Sequence, residues 1–423
     1  MKMEAWKECK LGDICKTNIN SYSEKDNWTF VNYLDTGNIT ENKISDIQFI
    51  DLSSESLPSR ARRKVQINDI IYSTVRPNQK HFGIIKKQPE NFLVSTGFAV
   101  LHINKTIADP NFVFYNLIKN ENTESLHAIA EQTTSAYPAI KPSDIENLSI
   151  NLPPLPTQQK IARILSSLDD KIELNNRIND NLEQMAQAIF KSWFVDFEPF
   201  GTEEKIESPI GTMIPRSLKM VQVADIPHLL ETGKRPKGGA VAEGVPSIGA
   251  ENVKQLGVFD FSSNKFIPRE YADSLGKGKI NGYELLLYKD GGKPGTFIPH
   301  FSMFGEGFPY DECYINEHVF KLDFYDKGLN EFAYFYFNTE YVRNWLANNG
   351  GKAAIPGINQ NDVNAIWIYD LENPKVKEFA KFVEPLFKQI FSNCKQNRQL
   401  SIIRDTLLPK LMSGKLDVSA VEI

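Results

Sequence analysis

One stretch of this chain occurs twice, as SAYPAIKPSDIENLSI at residues 135–150 and as AAIPGINQNDVNAIWI at residues 353–368. Pro138 of the first copy aligns with Pro356 of the second, an offset of 218 residues (356 − 138 = 218). Solenoid repeats have periods of roughly 20 to 50 residues, so a repeat this long indicates duplicated domains rather than a stacked array. Two domains of one origin predict two binding sites of one kind.

The duplication also includes the start of each domain. The segment WKECKLGDI at 6–14 is echoed by LKMVQVADI at 218–226. Short apolar runs bounded by Gly, Pro, Asn and Asp predict strands, and helical spacing of apolar residues follows them in both copies. Each copy is therefore predicted to be a mixed α+β domain. The predicted strands lie at 69–72, 98–101, 284–288 and 319–322, and the predicted helices at 110–118 and 331–337.

Proline-rich segments divide the chain. The run LPPLP at 152–156 would interrupt a helix or a central strand. It is either a polyproline ligand or a stiff exit from the first domain, and we favour the exit, with Thr157 capping the helix that follows. The predicted segments are a globular domain at 1–152, a spacer helix at 153–198, a linker at 199–217, a globular domain at 218–371 and a second spacer helix at 372–423.

Each spacer carries a heptad pattern of apolar residues. Spacings of four and three alternate for more than four repeats, which is typical of a coiled coil. Because one helix cannot bury its own apolar seam, the two spacers are predicted to pack on each other. Pro385 predicts a kink or the start of the second helix. The seam residues are Ile161, Leu165, Leu168, Ile172, Asn175, Asn179, Leu182, Ala186, Ile189 and Trp193, and then Phe379, Val383, Leu386, Ile390, Asn393, Asn397, Leu400, Arg404, Leu407 and Leu411.

Four asparagines interrupt this seam at matching places, namely Asn175, Asn179, Asn393 and Asn397. Buried amides fix the register of paired helices, whereas amides at a drifting seam merely face solvent. We favour the register role because both copies keep the pattern. The predicted fold class is α+β, with two mixed α/β domains in tandem, separated by two long helices that form an antiparallel coiled coil with internal pseudo-twofold symmetry.

Composition sets the broad class. The chain has 423 residues, 41% hydrophobic residues and a net charge of −5, and no apolar run approaches the ~18 residues that span a bilayer. We therefore expect a cytoplasmic protein without membrane contact. Its four cysteines lack zinc-site spacing, which predicts reduced thiols and no metal site.

Sequence motifs for catalysis are missing. The nearest relatives of a phosphate-binding loop, GGKP at 291–294 and GGKA at 350–353, lack its first glycine and final hydroxyl. No proline precedes an aspartate, and there is no H-E-x-x-H motif. We predict a chain with no catalytic residues and no cofactor of its own.

Local basic clusters are the candidate DNA contacts. Arginine and lysine bind phosphates or guanine edges, and asparagine and glutamine match the hydrogen-bonding pattern of adenine. The alternative is that these residues occupy solvated turns. We favour contact for the set as a whole. The candidates are Arg60, Arg62, Arg63, Lys64, Arg76, Asn78, Gln79 and Lys80 in the first half, and Lys234, Arg235, Lys237 and Lys293 in the second, where Lys293-Pro294 occupies a place comparable to Arg76-Pro77.

Over its full length the chain resembles the specificity subunits of Type I restriction-modification systems. The resemblance rests on LPPLPTQQKIA at 152–162, on QAIFKSWF at 187–194, on DIIYSTVRP at 69–77 and on LLPKLMSGKL at 407–416. The second copy departs from the pattern at LENPK, 371–375, where most of the proline-rich entry to the helix is lost.

This resemblance implies a function. It implies two target-recognition domains, each reading one half of a bipartite double-stranded DNA sequence, with two antiparallel helices as a ruler between them. It implies two methyltransferase (modification) subunits as partners, joined by translocating endonuclease (restriction) subunits. S-adenosylmethionine and ATP would then bind to those partners and not to this chain.

Two other classes of function stay open on the residues alone. One is a methyltransferase or other DNA enzyme with an unrecognised site. The other is a structural adaptor that does not bind DNA. Cofactor binding by the isolated chain would favour the first, and absence of DNA protection in any complex would favour the second.

Overall fold

The computed structural model describes residues 6–132, 138–351, 355–418 and 421. The first letters of both copies of the repeat, at 135–137 and 353–354, lie outside these ranges. The chain divides into two compact units, Met1–Asp170 with Leu400–Ile423 (unit 1) and Lys171–Gln399 (unit 2). Each unit contains the central part of one predicted globular domain and a portion of both long helices.

Unit 1 is built around two four-stranded sheets. Its strands are β1 Lys7–Lys10, β2 Cys15–Thr17, β3 Phe30–Leu34, β4 Ile39–Thr40, β5 Lys43–Ile44, β6 Gln48–Asp51, β7 Ala61–Lys64, β8 Ile70–Ser73, β9 Phe82–Ile84, β10 Phe92–Ser95, β11 Phe98–Ile103 and β12 Ser149–Leu152. One sheet has the order β6-β3-β10-β7 and the other β2-β11-β8-β9. Because β10 belongs to the first sheet and β11 to the second, the turn between them joins the two sheets.

The helices of unit 1 pack on the second of these sheets. They are α1 Pro110–Leu117, α2 Asn120–Glu131, α3 Pro142–Glu146 and the first part of α4 Leu155–Phe194. Asp109 caps α1 by accepting the Phe112 N–H at 3.0 Å. Pro110, at the first helical position, has no N–H that would need an acceptor. Phe112 is fully buried in a core that also contains Leu411 and Val418 from the far end of the chain.

Unit 2 repeats much of this arrangement. Its strands are β13 Lys205–Glu207, β14 Met213–Pro215, β15 Met220–Gln222, β16 Leu229–Thr232, β17 Val245–Ile248, β18 Phe266–Ile267, β19 Leu285–Tyr288, β20 Phe301–Ser302, β21 Tyr314–Ile315, β22 Val319–Asp323 and β23 Trp367–Tyr369. Its helices are α5 Arg269–Asp273, α6 Lys327–Phe337, α7 Glu340–Gly350, α8 Gln360–Asn364 and most of α9 Pro374–Met412. One sheet has the order β16-β22-β19-β20, and another β18-β17-β21.

The predicted strands and helices of both copies are confirmed, and their pairing matches. In unit 1, Ile70 of β8 pairs with Leu101 of β11, and in unit 2, Leu285 of β19 pairs with Leu322 of β22, both antiparallel. The echoed aspartates also match, because Asp13 and Asp225 each accept the N–H three residues earlier, at 2.9 and 3.1 Å. The repeat in sequence is therefore a repeat of local structure.

Helix α4 begins before its predicted cap, Thr157, and helix α9 begins before Pro385, which was predicted to kink or start it. Helix α4 begins at Leu155, so Thr157 lies in its first turn and is not its cap, and the Pro154 carbonyl accepts the Thr157 N–H at 2.9 Å. Pro156 is tolerated there because the first turn needs no N–H from it. Helix α9 begins at Pro374, capped by the Asn373 side chain, which accepts the Lys375 N–H at 2.9 Å. The expectation that Pro385 starts this helix is wrong.

The predicted apolar seam is the sheltered face of both helices, because none of its twenty residues is exposed. The one charged member, Arg404, has a partner in unit 1. Its Nη1 lies 2.8 Å from Oδ1 of Asp169, whose Oδ2 accepts the Tyr115 hydroxyl at 2.6 Å. Arginine replaces the alanine of the first seam because a carboxylate lies opposite it.

The seam asparagines of unit 2 bond to one another between α4 and α9. Asn175 is fully buried, and its Nδ2 donates to Gln396 at 2.7 Å and to Asn397 at 2.8 Å. Asn393 donates to Asn179 at 2.8 Å. The partner numbers fall as the α4 numbers rise, so the two helix portions in this unit run in opposite directions. The solvent-facing alternative is wrong for these residues.

Candidate nucleic-acid interface

The tight turn at 95–97 in unit 1 collects two of the predicted contact segments. The Thr96 N–H donates to the Arg60 carbonyl at 2.8 Å. The Gly97 carbonyl accepts both the N–H and the hydroxyl of Thr74, at 2.8 and 2.9 Å. Residues far apart in the chain, Arg60 before β7 and Arg76 after β8, are thereby held on either side of one turn.

The start of the loop at 74–81 is fixed by two backbone hydrogen bonds. The Arg76 N–H donates to the Pro138 carbonyl at 2.9 Å, and Ile140 donates back to Thr74 at 2.8 Å. A single 3-10 turn, Pro77–Gln79, lies between Arg76 and Lys80, which have φ of 47° and 56°. The side chains of Arg76, Asn78 and Gln79 are exposed at its surface, whereas Lys80 is paired with Glu41 at 2.8 Å.

The next predicted basic residues of unit 1 follow Arg60 along strand β7, which pairs with β10 up to the turn, with Ala61 opposite Ser95 and Arg63 opposite Val94. Residues 20–22 pair beside this strand, and the Tyr22 N–H donates to the Arg62 carbonyl at 2.7 Å. Lys64 is paired with Asp26 at 2.5 Å and lies 5.2 Å from the centre of the Trp28 ring. Burial lowers the pKa of Arg63, whose Nε has no hydrogen-bond partner. The structure therefore joins the segment that carries Arg60 and the loop that carries Arg76 through one turn, and Arg62, Arg63 and Lys64 follow Arg60 along β7 as a partly covered group.

Unit 2 has the same turn at 316–318. The His318 carbonyl accepts the Lys289 N–H at 3.0 Å, as Gly97 does for Thr74. The Asn316 carbonyl accepts the Gly233 N–H at 3.2 Å, and the Glu317 carbonyl accepts the Thr232 hydroxyl at 3.1 Å. The turn therefore joins the segment after β16 to the loop after β19.

That loop in unit 2 corresponds closely to the 74–81 loop. The Gly291 N–H donates to the Pro356 carbonyl at 2.9 Å, which is the bond that Arg76 makes with Pro138. Arg76 therefore matches Gly291, and the comparison of Arg76 with Lys293 is wrong by two residues because Lys293 lies further along the loop. Gly291 and Gly292 have φ of 130° and 101°, a region that favours glycine. Lys293 is exposed in a turn closed by the Thr296 N–H at 3.0 Å.

The other predicted contacts of unit 2 lie just after β16. Lys234, Arg235 and Lys237 are exposed, and Arg235 Nη1 lies 3.6 Å from Oε1 of Glu317. The segment that carries them is hydrogen-bonded to the 316–318 turn, as is the loop that carries Lys293. The structure thus gathers the four predicted cations of this half on segments joined by one turn.

Sequence reasoning missed four charged or titratable residues at this turn. Lys289, Asp290, Glu317 and His318 form a bonded group in which Lys289 Nζ lies 2.7 Å from Asp290 Oδ2, and His318 bonds to both carboxylates. Partial burial works to raise the pKa of Asp290, but hydrogen bonds from Lys289 and His318 outweigh it and lower that pKa. The only sequence signal was position, since Lys289-Asp290 follows β19 and Glu317-His318 precedes β22.

Other kinds of site find little support in the described part of the chain. No group of His, Cys, Asp and Glu there could hold a metal ion. Burial raises the pKa of the Cys313 thiol to about 12, which keeps it protonated and unreactive. Among the described helices, none is both long and apolar enough to cross a membrane.

Known proteins are similar to this chain along most of its length. The model of the Type I restriction modification DNA specificity domain matches residues 3–184. The HindI specificity subunit of Haemophilus influenzae, a Type I restriction enzyme, is 28% identical over 98% of this chain and 100% of its own. The MjaIX specificity subunit of Methanocaldococcus jannaschii is 30% identical over 67% of this chain and 64% of its own.

One solved structure has a similar fold. The crystal structure of the Type I restriction-modification S subunit from M. genitalium superposes with a TM-score of 0.56 at 15% identity, over 97% of this chain and 96% of that one. The chain thus has two mixed α/β domains in tandem, each with cations on segments that are hydrogen-bonded to one turn. The chain belongs to the family of Type I restriction-modification specificity subunits. It is the specificity subunit of such a system and not a catalytic one.

Proposed function

We propose that this chain reads a bipartite double-stranded DNA target, with one half-site bound by each recognition domain. The observation that carries this proposal is the repeated arrangement of the 95–97 and 316–318 turns, each with a strand-to-strand loop and a basic segment hydrogen-bonded to it. Two domains that bind different base sequences would share the backbone arrangement and differ in the side chains that contact the bases.

The proposed contacts are those predicted from the sequence. Arg60, Arg76, Asn78 and Gln79 would contact the first half-site, and Lys234, Arg235, Lys237 and Lys293 the second. All eight are exposed, which supports contact with a ligand as large as a duplex. Arg62, Arg63, Lys64 and Lys80 remain predicted contacts, although Lys64 and Lys80 would first have to leave their carboxylate partners.

We further infer that α4 and α9 form an antiparallel coiled coil that relates the two domains by a pseudo-twofold axis and fixes the distance between half-sites. The amide contacts of Asn175, Asn179, Asn393 and Asn397 support a role in register, since a buried amide tolerates only a partner that satisfies it. Two half-sites at a fixed spacing on one duplex are the target that suits such a frame.

Partner subunits complete the proposal. Two methyltransferase subunits would dock on this chain, and endonuclease subunits would join them for cleavage. S-adenosylmethionine and ATP would bind to those partners. The net charge of −5 fits an assembly in which the partners also supply positive charge toward DNA.

The test begins with mapping of methylated bases in the host genome to obtain the target. The full chain, assembled with the methyltransferase subunits of its own system, is then titrated against duplexes in which one half-site or the gap is altered. We expect each half-site change to lower affinity by at least tenfold, because a mismatched base pair costs about 1–3 kcal/mol. A complex indifferent to either half-site or to gap length would contradict the proposal.

The enzyme alternative has a separate test. Calorimetry of the isolated chain with S-adenosylmethionine should show no binding if the cofactor belongs to the partners. Saturable binding at micromolar concentration would instead support a methyltransferase site within this chain. Failure of the complex to protect any DNA would favour a structural adaptor.

A further inference from the structure

Two carboxylates lie at the 316–318 turn of unit 2, Glu317 on the turn itself and Asp290 on the loop that is hydrogen-bonded to it. Glu317 Oε1 lies 3.3 Å from His318 Nε2 and 3.6 Å from Arg235 Nη1. On the other side of the imidazole, Asp290 bonds to His318 Nδ1. The imidazole is thus held between the carboxylates, and each carboxylate also contacts a cation.

One of those cations belongs to the proposed interface. Arg235 is one of the predicted contacts and its side chain is 64% exposed, whereas that of Glu317 is only 30% exposed. Lys289 is held more tightly, 2.7 Å from Asp290 and 3.0 Å from the Glu317 carbonyl. Glu317 therefore lies behind a cation that extends toward solvent, whereas the side chains of Lys289 and Asp290 are both 24% exposed.

Unit 1 shows that the fold does not need these charges. The backbone bond from Thr74 to Gly97 matches the bond from Lys289 to His318, which aligns Thr96 with Glu317 and Val75 with Asp290. Thr96, Gly97 and Val75 carry no charge, yet the Gly97 carbonyl accepts the Thr74 N–H as the His318 carbonyl accepts the Lys289 N–H. The acidic residues are therefore specific to the second recognition domain and are not required by the backbone arrangement of the turn.

Carboxylates beside DNA have a cost, because they repel phosphates and partly neutralise the cations that release counterions. Their compensating effect is to restrict the conformations of the arginine side chain before it binds DNA. A free arginine side chain carries about 2 kcal/mol of rotamer entropy, much of which is lost when it contacts DNA. An arginine already held by a carboxylate loses less on binding, and it approaches the bases from one direction.

We propose that Glu317 and Asp290 are positioning residues of the second recognition domain, which hold Arg235 and Lys289 in the orientation that reads the second half-site. The inference rests on the proposed function and names the residues that make it specific. It assigns these carboxylates to discrimination between sequences, at the expense of general affinity for DNA.

The test substitutes Glu317→Gln in the full chain, assembled with its methyltransferase subunits. Binding is measured by fluorescence anisotropy to three duplexes: the mapped target, the target with its second half-site altered, and an unrelated sequence. We expect affinity for the target to fall about tenfold and affinity for the unrelated duplex to stay equal or rise. Glu306→Gln, which neutralises an exposed carboxylate paired with Lys327 in the same unit, should leave the ratio unchanged.

Simple removal of a repulsive charge predicts the opposite result. If Glu317→Gln raises or leaves unchanged the affinity for the target, the inference is overturned. Arg235→Gln should lower target affinity by itself, and adding Glu317→Gln to it should change little more, because the two act through one contact. If the two substitutions lower the affinity for the target in a fully additive way, Glu317 does not act by positioning Arg235.

Folding and function are separated by two further measurements. Thermal melts of each variant identify a loss of structure, and if Glu317→Gln melts early, Asp290→Asn is judged by the same affinity ratio. Wild-type complex that ignores the second half-site would refute the proposed function itself. A wild type that reads it, with both carboxylate variants unaffected, would refute only this inference.

Discussion

Individual residues show where the duplicated halves have diverged. Five residues after its capping aspartate, α1 carries Phe114 in the core of unit 1, and α6 carries Glu331 at the same place in unit 2. Glu331 is fully buried and neither carboxyl oxygen has a hydrogen-bond partner. Burial, together with the nearby Glu384 and Asp326 carboxylates, raises the pKa of Glu331 to about 9. This carboxyl is therefore protonated at neutral pH.

A pH-dependent cost of folding follows from Glu331. Its pKa is about 9 in the folded chain and near the usual glutamate value when unfolded, so folding takes up a proton between these values. The stability of unit 2 should fall as pH rises through this range. Glu331→Gln should remove that dependence, giving a gain that is small at pH 5 and larger at pH 8 in urea unfolding. Glu378→Gln, on the exposed face of α9, should show no such trend.

A second prediction at this scale concerns Asp169 in unit 1. Asp169→Ala would leave Arg404 partly buried without its main partner and the Tyr115 hydroxyl without its acceptor. We expect a loss of about 2–4 kcal/mol in the free energy of unfolding. Adding Arg404→Ala, which restores the alanine found at the matching place in α4, should recover part of that loss. A double variant as unstable as the sum of both single variants would contradict this pairing.

Secondary-structure elements followed the sequence wherever the signal was local. The heptads predicted the sheltered face of both long helices, and short apolar runs bounded by turn residues predicted β8, β11, β19 and β22. Helix starts were less accurate, because the prolines at 156 and 385 were interpreted without the caps that precede them. Asn373 and the Pro154 carbonyl determine where these helices begin.

The amide contacts between α4 and α9 give a prediction for these elements. Asn393→Ala would leave Oδ1 of Asn179 without its donor, at a cost of about 1–3 kcal/mol. Adding Asn179→Ala should cost less than it does in the wild type, so a double-mutant cycle should give a coupling energy of at least 0.5 kcal/mol. Lys388→Ala, on the exposed face, serves as the control and should be nearly neutral. Additive effects of the two asparagines would show that they do not act as a pair.

At the scale of the whole molecule, a substitution in one recognition domain should weaken DNA binding through its own half-site and not through the other. Arg76→Ala should weaken binding through the first half-site only, and Lys293→Ala through the second only. If the contact is to phosphate, each variant should also reduce the slope of log affinity against log salt by about 0.9. If the contact is to a base, titrations on the singly altered duplexes check the assignment, because a variant should lose little more when its own half-site is already altered. Loss at both half-sites from one substitution would contradict separate readers.

The sequence by itself determined the duplication, the strands and helices of each copy and the seam of the long helices, because periodicity and turn residues act over short stretches of chain. It also placed the predicted DNA contacts on loops after strands. Only the tertiary structure decided which segments meet, since the turn at Thr96 bonds to Arg60 and to the loop that carries Arg76, and Glu317 of the other turn contacts both Arg235 and Lys289. Burial of Glu331, pairing of Arg404 and the carboxylates behind Arg235 depend on such distant partners. Composition and spacing carry no record of them.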